Sequence, residues 1–177
     1  GETPIEECVE GVWSECAPCG PPPACSPDDP CDYGFDCVDE ECVFDLDTRF
    51  DLRVVGAEIP QPLGGGNWDV WGGLPDPYAL VQVGQLRDEA PEQATSVSDN
   101  TRSPEWDEIV VRDTTASDFF TYTSLEILDS DLAGDSVIGD CVLRFGTVSF
   151  NGSTRTLTCP TTESQAGYRV FVRFEQP

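Results

Sequence analysis

The sequence predicts an all-β protein: an eight-stranded antiparallel β-sandwich over residues 46–177, preceded by a disulfide-rich, loop-rich module over residues 1–45. Three observations predict it. Seven of the nine cysteines fall between Cys8 and Cys42, a density that marks a segment held by cross-links rather than by a core. From Phe50 onward, short runs rich in β-branched and aromatic residues alternate with turn residues. No stretch of comparable length carries a helical repeat, which leaves sheet packed on sheet.

The N-terminal module comes first. Pro21-Pro22-Pro23 and Ser26-Pro27-Asp28-Asp29-Pro30 exclude long helices or strands. Such a segment buries too little apolar surface to fold unaided. The close, even spacing from Cys31 to Cys42 is that of a cystine module. Cys16-x-x-Cys19 raises zinc as an alternative, but no second such pair follows and histidine is absent. Seven cysteines allow three bridges here and leave one thiol, for which Cys8, nearest the free end, is the expected residue.

The strands of the second part follow in order. Phe50 to Ile59 places Phe50, Leu52 and Val54 on one face. Tyr78 to Val83 follows an Asp-Pro turn, and Ala94 to Ser98 makes a third run. Trp106 to Arg112 begins after Ser103-Pro104, with Ile109 and Val111 on one side. Ser124 to Leu128 leads into a loop of aspartates. Val137 to Phe145, Thr154 to Cys159 and Tyr168 to Phe174 complete eight. In the last, Tyr168, Val170, Val172 and Phe174 share a face. Cys141 and Cys159 fall on consecutive strands, close enough for a disulfide if they share a face.

Charge excludes several functions. The chain has 34 acidic residues against nine arginines and no lysine, for a net charge of −25. Fourteen of the acids precede Arg49, the first basic residue. Such a surface repels nucleic acid, and no polybasic patch exists to draw it to anionic lipid. Without histidine, no Ser-His-Asp or Cys-His pair can form within the chain. Paired carboxylates could serve glycoside hydrolysis, but no cleft-forming insertion would hold a sugar. The reading is a non-enzyme. No run is long enough to span a membrane. The cysteine density, the absence of methionine and the start at Gly1-Glu2-Thr3-Pro4 read as a mature, secreted or surface-tethered form.

Three segments occur in a telling order: Asp76-Pro77-Tyr78, then Asn100-Thr101-Arg102-Ser103-Pro104-Glu105-Trp106, then Asp129-Ser130-Asp131-Leu132-Ala133-Gly134-Asp135-Ser136-Val137-Ile138-Gly139. This order and wording resemble the C2 domain family, eight-stranded sandwiches that often bind calcium between their end loops. The resemblance covers residues 49 to 177. It implies that Asp69 and Asp76 of one loop, and Asp129, Asp131 and Asp135 of another, are calcium ligands. Their chemistry suits the role, because Ca²⁺ takes six to eight oxygens. The plainer reading of any single aspartate is a turn residue that bonds its own backbone. Trp106 matches a core position of the family. The strong strand at the C-terminus favours the circularly permuted form whose extra strand comes last.

The first loop mixes five glycines with Trp68, Trp71 and Leu74 between Gly64 and Pro75. Large apolar groups at a loop tip point to contact with a partner, though one tryptophan could instead fold back on the protein. Asn151-Gly152-Ser153 is a glycosylation sequon, which implies a surface loop. The leading functional expectation is a calcium-dependent binding module for an extracellular protein, glycan or membrane surface, with weak or no affinity for anionic lipid. The alternative is a structural subunit of an extracellular assembly, self-associating and stiffened by calcium.

Overall fold

The computed structural model describes residues 7–9, 12–14, 24–62, 68, 73–84, 92–131, 134–160 and 167–177. The chain divides into two compact units, Gly1–Asp45 and Leu46–Pro177.

In the first unit, β1 (Glu7–Val9) pairs antiparallel with β2 (Val12–Ser14). A second hairpin joins β3 (Phe35–Val38) to β4 (Glu41–Phe44). Its two-residue turn, Asp39-Glu40, has positive φ at both positions, 52° and 66°. That is the turn geometry whose twist matches a hairpin's. Cys37 and Cys42 face each other across the strands. Each bridges back to the preceding loop, as Cys25–Cys37 and Cys31–Cys42. Phe35 and Phe44 add an edge-to-face contact at 5.2 Å. The side chains of Cys8, Cys16 and Cys19 lie outside the described residues.

The second unit is the sandwich. Its strands are β5 (Arg49–Glu58), β6 (Pro77–Val83), β7 (Gln93–Ala94), β8 (Glu105–Thr115), β9 (Thr123–Asp129), β10 (Ser136–Val142), β11 (Arg155–Cys159) and β12 (Tyr168–Glu175). One sheet runs β10–β9–β6–β7 and the other β11–β12–β5–β8, all antiparallel. The closing strand β12 lies beside the opening strand β5. Period-2 alternation decides which side chains enter the core. Leu52 and Val54, Val170 and Val172 come from one sheet, Ala79 and Val81, Leu125 and Ile127 from the other, and all eight are fully buried. The larger of these side chains each contribute about 1.5–3 kcal/mol of transfer free energy.

Two local features depart from the sequence pattern. In β8, Leu52 pairs with Val111 and Arg53 with Ile109, so Val110 is an extra residue. This bulge buries Val110 and Val111 together and leaves Ile109 half-exposed. The second is a short helix, α1 (Ala116–Thr121), which no periodicity announced. Thr115 caps it, accepting from the Asp118 N–H at 3.3 Å and donating to the Asp118 carboxylate at 2.7 Å. Thr-x-x-Asp is a capping signal visible in the sequence.

Phe119 of α1 sits in an aromatic cluster with Phe50, Phe145, Phe150 and Phe174, with ring separations from 4.2 to 6.5 Å. The cluster closes the sandwich at the end where β5 begins and β12 ends. Cys141 and Cys159 are disulfide bonded. They do not lie on paired strands, because β10 and β11 are the edges of opposite sheets. The bridge therefore ties one sheet to the other. Beside it, Tyr168 crosses the core from β12, and its hydroxyl donates to the Leu125 carbonyl at 3.2 Å. The ring packs so closely on Gly139 that a Cβ there would lie 2.6 Å from it.

Candidate metal and partner site

At the end opposite the phenylalanines, β6, β8 and β10 begin and β9 ends. Pro77, the first residue of β6, pairs with Asp129, the last of β9. Proline has no N–H to donate, so it suits the start of a strand. In β9 the inward set is Thr123, Leu125, Ile127 and Asp129. The alternation that fills the core with leucine and isoleucine thus ends on a carboxylate, fully buried beneath the loops.

Three loops meet there through backbone amides. The Asp76 N–H donates to Asp129 Oδ1 at 2.7 Å, and the Ser130 N–H donates to the Asp76 carbonyl at 3.0 Å. Asp76 Oδ1 accepts from the Asn100 N–H. Asn100 Oδ1 in turn accepts from the Leu74 N–H at 3.0 Å, and the Thr101 N–H reaches the Pro75 carbonyl at 2.8 Å. Asn100 has φ of 49°, a left-handed conformation that asparagine tolerates better than most residues. Its role as the clasp between loops was not drawn from the sequence, although the Asn-Thr-Arg-Ser-Pro turn contains the signal.

The expected ligands separate into groups. Asp76 and Asp129 are adjacent and linked. Asp131, two residues on, is half-exposed. Asp135 is directed elsewhere: its Oδ2 accepts from the Tyr78 hydroxyl at 2.6 Å. That contact lies over the outer face of the sheet, whereas Asp129 points inward. Burial first, then the Asp135 hydrogen bond and the nearby carboxylates, push Tyr78 up to about 12. Asp69 lies outside the described residues.

Among the described residues, the loop aspartates do not place three ligand atoms within 4.8 Å of one another. Cys25, Cys31 and Cys42 do, but their sulfurs are in disulfides and offer no thiolate. The donor set nonetheless fits a hard cation in kind. Asp76, Asp129 and Asp131 supply oxygen ligands from two loops, the donor type a hard cation takes.

The apolar residues also divide. Trp68 is half-buried, and its indole N–H donates to the Pro60 carbonyl at 3.2 Å, folding it back along its own loop. Leu74 is exposed. Trp71 lies outside the described residues.

An antiparallel two-sheet sandwich with carboxylates on linked end loops defines the class of this protein. The C2 domain family model matches residues 49–159, more than half of the chain, and the chain belongs to the C2 domain family. C2 domains are generally binding modules rather than catalysts. No curated protein sequence matches this chain. A solved structure of CC2D1B, described for its part in the mitotic reformation of the nuclear envelope, is similar at 21% identity and TM-score 0.51, covering 73% of this chain and 55% of that one. The chain thus spans about half the length of that relative. The C2 domain designated A of plant Extended Synaptotagmin 1 aligns at 18% identity and TM-score 0.47, over 73% of this chain and 95% of its own. The calcium-bound pair of C2 domains of Extended-Synaptotagmin 2 aligns at 17% identity and TM-score 0.47, over 74% of this chain and 46% of its own.

Proposed function

We propose that this chain is a secreted, calcium-dependent binding module that takes its partner at the loop end of the sandwich. The observation that carries the reading is the Asp76–Asp129 junction, where the Asp129 carboxylate accepts the Asp76 N–H at 2.7 Å and the Asp76 carboxylate accepts the Asn100 N–H, with Leu74 exposed on the same loop. Bound calcium would supply positive charge among these loops and a bridge to acidic groups on a partner. Asp76, Asp129 and Asp131 would hold it, together with Asp69 of the first loop. Leu74 and Trp71 would provide apolar contact, while Trp68 braces the loop through Pro60. The partner is an extracellular protein, a glycan or a membrane surface; in the absence of lysine, anionic lipid alone is a poor target. Three disulfides support an oxidising compartment. No helix among the described residues is long and apolar enough to cross a membrane.

Thermal unfolding with calcium or with chelator tests this. Extracellular calcium modules bind with Kd of about 10⁻⁴ to 10⁻³ M. At about 10 mM calcium, mass action stabilises by roughly 1.4 to 2.7 kcal/mol per site, or roughly 3 to 10 °C in Tm for a domain of this size. Magnesium, which prefers a tight octahedral shell, should do less. Superimposable curves in calcium and chelator would overturn the calcium reading.

One observation favours a second reading, a subunit of an extracellular assembly. The edge strand β10 carries exposed Val137 and Val142, and an unpaired edge is a template for a further strand. Sedimentation across a concentration series distinguishes the two, since a subunit associates with itself and a module stays monomeric until it meets its partner.

A further inference from the structure

Asn151-Gly152 is the one Asn-Gly pair in a sequence whose other asparagines are Asn67 and Asn100. It follows directly on the 3₁₀ turn Thr147–Phe150. Phe150 is buried in the aromatic cluster, whereas Asn151, Gly152, Ser153 and Thr154 are all exposed. Gly152 has φ of 76°, and a Cβ built on it would meet no atom within 4 Å. The pair thus stands clear of the packed core, and glycine leaves its backbone room to rotate.

Two further observations bear on its chemistry. The Ser153 N–H donates to Asn151 Oδ1 at 3.1 Å, so a donor already sits on the oxygen that gains charge when a nucleophile adds to the carboxamide carbon. Residues 141–162 contain no acidic residue and include Arg144 and Arg155, in a chain of net charge −25. The charge local to this segment therefore opposes hydroxide less than elsewhere, which eases loss of a backbone amide proton. Asn100 is the contrast within the same molecule. Its Oδ1 accepts from the Leu74 N–H at 3.0 Å, and the residue after it is the β-branched Thr101. The Thr101 N–H is bonded to the Pro75 carbonyl at 2.8 Å.

We propose that Asn151 is a self-modifying site, converting to aspartate and isoaspartate with water as the only co-reactant. The Gly152 nitrogen gives its proton to hydroxide and bonds to Asn151 Cγ, an intramolecular attack that needs no bound partner. The Cγ–Nδ2 bond then breaks, and Nδ2 leaves as ammonia with a proton taken from water, which restores the hydroxide. The product is a cyclic imide. Water adds to either imide carbonyl. Breaking the nitrogen's bond to Cγ gives aspartate; breaking its bond to the main-chain carbonyl carbon gives isoaspartate, whose backbone runs through the side chain. Either product adds a negative charge. The change falls beside Phe150, at the end of the sandwich away from Asp76 and Asp129, and it depends on neither the calcium nor the secretion reading.

The test follows the whole chain, made without N-glycosylation so that Nδ2 carries no sugar, in warm, mildly alkaline heavy-oxygen water. Peptide maps should show the Asn151 peptide giving way to two products of equal mass, each with one heavy oxygen. An isoaspartate-specific carboxyl methyltransferase should label one of them and not the other. The folded chain should convert at least as fast as the chain unfolded in urea, and Asn100 should stay intact over the same period. Ser153→Pro removes the N–H on Oδ1 and should slow the folded chain at least roughly three-fold, a smaller loss than removing a buried oxyanion donor from an enzyme. It should leave the unfolded rate unchanged. Survival of Asn151 in the fold while it converts in urea, or equal conversion at Asn100, would overturn the proposal. So would a folded Ser153→Pro chain that reacts as fast as the parent. The comparison of folded with unfolded parent needs no variant, so the proposal can fail even where Ser153→Pro does not fold.

Discussion

At one end of the sandwich five phenylalanines close the core; at the other, loops meet through carboxylates that accept backbone N–H bonds. The ring contacts are apolar and carry no ionisable group, so neither calcium nor moderate pH acts on them directly. The loop contacts hang on charged acceptors in a chain of net charge −25, so each is sensitive to whatever cation or proton is present. Stability resides at the first end and responsiveness at the second. The calcium-dependent module proposed above would need this division.

The largest expected effect lies at the aromatic end. Phe119 is fully buried and touches Phe145, Phe150 and Phe174. Phe119→Ala should cost about 3–5 kcal/mol in urea unfolding, and it should leave the calcium-induced shift in Tm intact. If the variant lost the calcium response along with its stability, the two ends would not be independent.

At the loop end the expected sign differs. Asp129→Asn keeps an oxygen to accept the Asp76 N–H and removes a buried charge lying beside other carboxylates. In chelator the variant should be as stable as the parent or more so, by about 1 kcal/mol. In calcium the parent should overtake it, and combining Asp129→Asn with Asp131→Asn should abolish the calcium response. Were these aspartates only turn formers, Asp129→Asn would lower stability equally in both buffers. Paired melting curves read the difference directly.

The contrast also explains what the sequence made legible. Alternation revealed the strands because one face of each is core, and Leu52, Val54, Val170 and Val172 follow the rule without exception. It misled in β8, where a bulge at Val110 shifts the phase, and it overextended the third strand. There the regular ladder with β6 holds only Gln93 and Ala94; beyond them the Thr95 N–H donates to the Ala79 carbonyl at 3.0 Å and the Ser98 N–H to the Pro77 carbonyl at 2.9 Å, while the Thr95 hydroxyl takes the Ala79 N–H. A side-chain hydroxyl that takes one ladder N–H breaks the regular pairing without altering the hydrophobic pattern. The loop carboxylates were legible as residue types in a family order, but their partners were not. That Asp135 would turn to Tyr78, or Asn100 clasp Asp76, depends on which loops the topology brings together. The disulfide shows the same limit: spacing marked Cys141 and Cys159 as near, whereas strand order makes the bridge cross between sheets.

The smallest expected effect concerns that Tyr78–Asp135 contact. The fold raises the Tyr78 phenol from 10.0 to about 12, chiefly by burial and then by the hydrogen bond to Asp135. Between these values the folded chain holds a proton that the unfolded chain has released. Its contribution to stability is therefore complete below about pH 10 and is lost as the pH rises toward 12. Tyr78→Phe should cost little at neutral pH, about 1 kcal/mol for one half-exposed hydrogen bond. It should flatten the alkaline fall in stability relative to the parent, and Tyr168, present in both proteins, cancels from the comparison. Tyrosinate absorbance during an alkaline titration should lose its latest-titrating partly exposed component in the variant. An unchanged alkaline slope would mean that Tyr78 ionises as freely in the fold as out of it, and that Asp135 is open to turn toward Asp76 and Asp129 at the end loops.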